Sequence, residues 1–231
     1  MTSATLAVKN CNVKKTTTFL KKLKKNNSKE WFDKNRTEYE EAKKEFVKII
    51  EETLAQSVKF DKKLAGLEPK KTLFRINRDI RFSKDKSPYK TNFGANVSPG
   101  GKSNLIPGGY YIHVEPGKSF IAGGCYMPEP EMLNSIRQEI DYHFADFKKI
   151  LAQKEFKKYF GGKLSDEEKL VNPPKGYDKE NPAVEFLKFK HFIVLHKVDD
   201  KLLLSPKFPK YVADVFKAMY PFNMFLRKAV E

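Results

Sequence analysis

The chain has 231 residues, 40% hydrophobic and 32% charged, with a formal net charge of +16. That length is enough for one large domain with a full core, and the composition belongs to a folded soluble protein rather than a disordered one. No apolar run approaches the ~18 residues that cross a bilayer. Residues 1–15 lack the apolar stretch of a secretory leader, so a cytoplasmic protein with no membrane association is expected.

Residues 1–14 read as a loose N-terminal arm, and residues 15–231 as a single domain. Thr18 is placed to cap a short helix that turns Phe19, Leu20 and Leu23 inward and stops near Asn26-Asn27. Ser28 is placed to cap a further turn carrying Trp31 and Phe32. Thr37 and Glu40 have the spacing of a capping box, and Tyr39, Ala42, Phe46, Ile49, Ile50 and Leu54 then keep helical spacing.

From about residue 71 the period shortens to two. Phe74, Ile76, Ile80 and Phe82 would share one face of a strand, and Arg75, Asn77, Asp79, Arg81 and Ser83 the other. Arg78 falls on the apolar face. Phe93, Ala95 and Val97 predict a second strand, ending at the turn Ser98-Pro99-Gly100-Gly101. Tyr110 to Glu115 and Ser119 to Tyr126 read as a hairpin about Pro116-Gly117.

Pro128 to Gln153 is predicted as one long helix, with Leu133, Ile136, Ile140, Phe144, Phe147 and Leu151 stepping by three and four. Gly161-Gly162 ends a shorter helix, and Asn172 to Tyr177 is an irregular proline-rich connector. A strand over His191 to Val198 and a closing helix over Tyr211 to Ala229, broken near Pro221, complete the chain. Helices come first, then strands without helices between them, then helices again. This order predicts an α+β fold: a largely antiparallel central sheet packed with N-terminal, middle and C-terminal helices.

Lysine supplies 39 of the 45 basic residues and arginine six. Phosphate and nucleic-acid sites favour the planar fork of arginine. The lysines, spread over helix faces such as Lys21-Lys22-Lys24-Lys25, are therefore read as compositional bias. Half of the arginines, Arg75, Arg78 and Arg81, sit within seven residues. A donor-dense loop, Ser83 to Lys90, follows them. Neighbours on one strand face lie roughly 6.5–7 Å apart, so Asp79 can bridge Arg81 but cannot neutralise Arg75 as well. The face left over is positive and suits a phosphate or carboxylate.

The ligand-binding candidates are Arg75, Asn77, Arg81, Ser83, Lys86, Ser87, Tyr89 and Lys90, with Pro88 stiffening the loop. Arg78 is expected to form a structural ion pair, with Glu30, Glu38 or Glu185 as partner. The expected ligand is a phosphate-bearing small molecule or nucleotide, or a nucleic-acid backbone. No cofactor is called for.

Two other classes of function stay open. The first is an enzyme acting on a phosphorylated or carboxylated small molecule, with Asp79 or His113 as general base. It requires a closed pocket holding Asp79, His113 and Arg81 together. His113 and Glu115 share a strand face with Tyr111, and a metal there would need a third ligand such as Asp79 or Asp85. No metal-binding spacing supports one, so no metal is assigned. The second is an interaction subunit in which the arginine run only organises the fold.

The remaining motifs are weaker. His143 reads as helix packing, and His196 has no evident partners. Gly108-Gly109, Gly123-Gly124 and Gly100-Gly101-Lys102-Ser103 do not make a P-loop, because Asn96 stands where the first glycine is required. No G-x-S-x-G elbow is present. Cys11 and Cys125 read as free thiols of a reducing compartment, with Cys125 buried.

Several of these segments together resemble a known family: Asn26-Asn27 with Glu30-Trp31-Phe32, Phe74 to Asp79, Arg81 to Lys90, Gly109-Tyr110-Tyr111, and Pro173 to Tyr177. The family is catalogued as domain of unknown function 2461, found in bacteria and fungi. The resemblance runs over nearly the whole chain from about Lys15. It implies a single domain and brings no activity with it.

Overall fold

The computed structural model describes residues 12–101, 106–165 and 168–231. Cys11, most of the expected arm, and Lys102-Ser103 of the expected turn lie outside them. Helix α1 (Lys14–Lys25) begins ahead of Thr18, which lies inside it. Its cap comes from helix α3 (Arg36–Ser57). The Glu45 carboxylate accepts from the amides of Lys15 at 3.2 Å and Thr16 at 2.8 Å, and from the Thr16 hydroxyl at 2.8 Å. A carboxylate there satisfies the open N–H groups and opposes the positive end of the helix dipole.

Ser28 caps helix α2 (Lys29–Lys34) as expected, accepting from the Trp31 amide at 3.2 Å. Helix α3 starts behind Asn35, so Thr37 is inside it and the capping box does not form. The spacing of its stripe holds: Ala42, Phe46, Ile49, Ile50 and Leu54 are buried. A 3-10 turn (Lys62–Leu64) and a short helix α4 (Pro69–Thr72) lead to the sheet.

Strands β1 (Phe93–Val97), β2 (Gly109–Val114), β3 (Phe120–Cys125) and β4 (Phe192–Lys197) form one four-stranded antiparallel sheet in that order. Helices α5 (Pro130–Tyr142), α6 (Phe144–Ala152), α7 (Lys154–Phe160) and α8 (Val184–Leu187) lie between β3 and β4. Helices α9 (Asp200–Leu203) and α10 (Phe208–Lys228) close the chain. The fold is α+β. Among the described residues, no helix is long and apolar enough to cross a membrane.

Helix α10 lies on one face of the sheet, where Phe216 stacks on Tyr110 at 4.4 Å between centroids. Glycine makes that approach possible: a Cβ on Gly123 would stand 2.2 Å from Met219 Sδ. At the end of the same contact Arg227 and Asp61 are paired, each 1% exposed. The guanidinium donates to both Asp61 oxygens at 2.9 and 2.7 Å and to the Gly108 carbonyl at 3.1 and 2.8 Å. The Tyr110 hydroxyl completes the set by donating to Asp61 at 2.9 Å.

Three expected elements are corrected. Residues 74–83 form no strand; that stretch has one isolated bridge, Asn77 to Tyr89, and a second, Leu73 to Ala95, lies just before it. The amides that would feed a sheet bond instead to the far end of the same segment, Arg78 to the Pro88 carbonyl and Lys90 to the Ile76 carbonyl. The tip then has no buried face, and Phe82 is 96% exposed while Ile76 is 4% exposed.

The long helix over 128–153 breaks at His143 (φ −117°, ψ 34°), which stands between α5 and α6, exposed rather than packed. Pro221, in contrast, does not break α10. Its missing N–H would have bonded the carbonyl of Lys217, an exposed position where water can take over.

Candidate functional site

Residues 76–90 make a loop closed at its neck, and Arg78 is its hub. One terminal nitrogen donates to Asp85 Oδ2 at 2.5 Å and to the Ser87 carbonyl at 3.1 Å; the other donates to Ser83 Oγ at 3.2 Å. The second Asp85 oxygen accepts from the Ser87 amide at 2.9 Å and its hydroxyl at 2.6 Å. The Ser87 bonds first, and Arg78 after them, hold the Asp85 carboxyl down at about 2. Arg78 pairs with Asp85, a largely exposed carboxylate of its own loop, and not with Glu30, Glu38 or Glu185. A straight strand would have carried Asp85 out of reach.

Arg81 is bidentate on Asp79, with Nε to Oδ1 at 3.0 Å and Nη2 to Oδ2 at 2.7 Å, which keeps the Asp79 carboxyl below its usual range. Lys86 donates to the Ile80 carbonyl at 3.1 Å. Tyr89 leaves the surface: it is 6% exposed, and its ring stacks on Phe32 at 4.0 Å. Asn27 brackets the Tyr89 backbone with bonds of 2.9 and 3.1 Å. Ser83, Ser87 and Tyr89 thus hold the loop together. Asn77 sits exposed at its neck. Arg75 and Lys90 have no carboxylate partner among the described residues.

Below the loop lies a groove that no sequence motif announced. The Phe74 amide donates to the Gly94 carbonyl at 3.0 Å, which lays this residue beside β1. Its ring meets Tyr111 edge-on at 6.1 Å, and Tyr111 meets Phe120 at 5.8 Å. Gly94 leaves the room that Tyr111 occupies, since a Cβ there would stand 2.5 Å from the phenol oxygen.

With Ala122 and Leu195 these rings line a largely apolar groove of about 630 Å³, and Lys90 and Asn96 are polar members of its wall. The Lys90 ammonium lies 5.6 Å from the Phe74 ring centroid, within cation–π range. Burial lowers the Lys90 pKa, and the neighbouring Arg75 lowers it further. Burial pushes the Tyr111 phenol up to about 12. Burial does the same to the Cys125 thiol, also on the groove wall, up to about 12. That thiol is buried and packs against Met132 Sδ at 3.5 Å.

His113 and Glu115 share a face with Tyr111, as expected, at 3.3 Å from each other. The other ring nitrogen of His113 is 3.3 Å from the Tyr111 hydroxyl, and the ring stacks on Phe120 at 4.5 Å. Burial lowers its pKa against the opposite pull of Glu115. None of His113, Glu115, Asp79 and Arg81 lines this groove, so it does not bring the acid–base set together. Among the described residues no three His, Cys, Asp or Glu side chains are grouped to hold a metal. His196 does have partners: the Tyr159 carbonyl at 3.0 Å and the Tyr211 hydroxyl at 2.6 Å.

A family model described as Conserved hypothetical protein (DUF2461) matches residues 15–225, and the chain belongs to that family. No curated protein and no solved structure matches it.

Proposed function

We propose that this member of the DUF2461 family binds a phosphate-bearing ligand with a planar, apolar body, of which a nucleotide is the simplest form. One observation carries the reading. Lys90, a half-buried cation, lines an aromatic groove with Arg75 close enough to act on its charge, and neither has a carboxylate salt-bridge partner among the described residues. They repel each other, and burial already disfavours the charge on Lys90. An anion between them relieves both effects.

Phe74, Tyr111 and Phe120 offer faces and edges to a planar ring, and a stacked base is worth about 1–3 kcal/mol. Asn96 is placed for the polar edge of such a ring. Lys86 adds positive field from the loop, and the Arg78–Asp85 network holds the loop ready, which lowers the ordering cost of binding. Among the described residues the groove is lined by rings, apolar side chains, Lys90 and Asn96, which favours a reading of recognition. Such ligands are cytoplasmic metabolites, which fits a cytoplasmic location.

The test is thermal unfolding of the full chain with AMP, ADP, pyrophosphate and phosphate. A ligand at a hundred times its Kd adds about 2.7 kcal/mol, which moves the midpoint of a chain this size by roughly 5–10 °C. The expected result is a shift with ADP that Lys90→Ala and Arg75→Ala each reduce. No shift with any nucleotide, or a full shift retained in both variants, would overturn the proposal.

A further inference from the structure

We infer a second, separate ligand site between helix α5 and the proline-rich connector 172–177, which takes a small zwitterion of the amino-acid class. Its anchor is Arg137, 6% exposed on α5. The guanidinium gives Nε to the Leu187 carbonyl at 2.8 Å and Nη2 to the Phe189 carbonyl at 3.3 Å. An arginine has five N–H donors, and these bonds leave Nη1 unused. Asn223 Oδ1 is the one buried side-chain polar atom without a hydrogen-bond partner among the described residues. The two Nη1 donors of Arg137 are therefore accessible.

They open onto a cavity of about 700 Å³ that Arg137 lines together with Asn134, Gln138, Asp141, Lys175 and Tyr177. A buried guanidinium is normally matched by a carboxylate. Arg137 has none among the described residues, although Asp141 lies one helical turn away. Asp141 instead accepts from Asn181 Nδ2 at 2.6 Å through one oxygen.

A cation and an anion therefore line one cavity without meeting each other. A free α-carboxylate on Arg137 and Lys175, with the ammonium on Asp141, satisfies both at once. Bidentate guanidinium–carboxylate contact supplies the specificity. The cavity is of the size that holds a small ligand, with room for a free amino acid or a dipeptide. Its amide, carboxylate and ammonium lining sets it apart from the aromatic groove.

The experiment is thermal unfolding of the full chain with glutamine, glutamate and glycylglycine, and with glutamine methyl ester as the probe lacking a free carboxylate. At about 10 mM, ten times a millimolar Kd, the midpoint should rise by about 4 °C. The size of the rise separates free amino acid from dipeptide. The ester should give no rise. Arg137→Lys, which keeps the charge and loses the fork, and Lys175→Glu, at the exposed lip, should each weaken binding at least about fivefold. If Arg137→Lys fails to fold, Lys175→Glu carries the comparison alone, and its response to ADP should stay that of the parent. No rise with any amino acid or dipeptide, an equal rise with the ester, or a rise undiminished in the folded variants would overturn the inference.

Discussion

Replacing Arg227 by methionine would leave Asp61 1% exposed and stripped of both guanidinium bonds. Breaking a buried pair from one side costs about 3–5 kcal/mol, and urea unfolding of Arg227→Met should show a loss of that size. A loss under about 1 kcal/mol would mean that the pair contributes little. Sequence offered a hint of this pair without its partner: arginine is scarce in a chain that covers its surface with lysine. Asp61 is 166 positions away, and nothing local links the two. The Arg78 pair was expected for a reason the structure does not keep: with no strand there is no apolar face, and Arg78 bonds to polar groups of its own loop. The wrong backbone geometry hid Asp85. His113 gives a residue-scale pH effect. Its pKa is lowered in the folded chain, so the unfolded chain binds more protons as pH falls. The stability it contributes is full above its ordinary value of about 6.5 and is lost as pH drops through its lower folded value. His113→Gln should flatten the stability–pH curve below about pH 6.5, as read by unfolding at stepped pH. An unchanged slope would contradict this assignment.

At the scale of elements, glycine distinguishes contact from turn. Gly124 has φ +116°, and a Cβ there would meet the Phe192 carbonyl at 2.1 Å, an atom fixed in the β3–β4 pairing. Gly117 has φ +79° at the hairpin turn, with nothing within 4 Å of its Cβ position. Gly124→Ala should therefore cost about 3 kcal/mol or more, and Gly117→Ala only about 1–2 kcal/mol for its left-handed backbone. Equal losses in denaturant titrations would contradict the packing described for β3. Elements whose apolar residues are buried were the ones legible in sequence: the stripe of α3, strand β1, the β2–β3 hairpin, and β4. The residues 74–83 alternate just as well, yet alternation cannot tell a strand from a loop that hydrogen-bonds to its own far end. The caps divided in the same way. Ser28 acts within its own turn and could be read; Glu45 caps α1 from another helix and could not.

At the scale of the molecule, the α+β class followed from element order alone, and the antiparallel sheet bears it out. The groove could not be read in that way. Phe74 comes from the loop approach, Tyr111 and Phe120 from two strands, and Lys90 from the loop exit, and only the assembled sheet face brings them together. The arginine run was legible as a place to look. Its chemistry was not, because Arg78 and Arg81 are already paired while Arg75 and Lys90 are not paired with a carboxylate among the described residues. The net charge of +16 says nothing about where an anion sits. Titration of the labelled chain with ADP, followed by amide chemical shifts in NMR, does. The proposed site requires progressive shifts at Phe74, Lys90, Tyr111 and Ala122 that disappear in Lys90→Ala. Shifts spread over the exposed lysines of α1 and α3 and lost on adding salt, with the groove amides unmoved, would mean that ADP meets only the diffuse charge of the chain and that the groove is not its site.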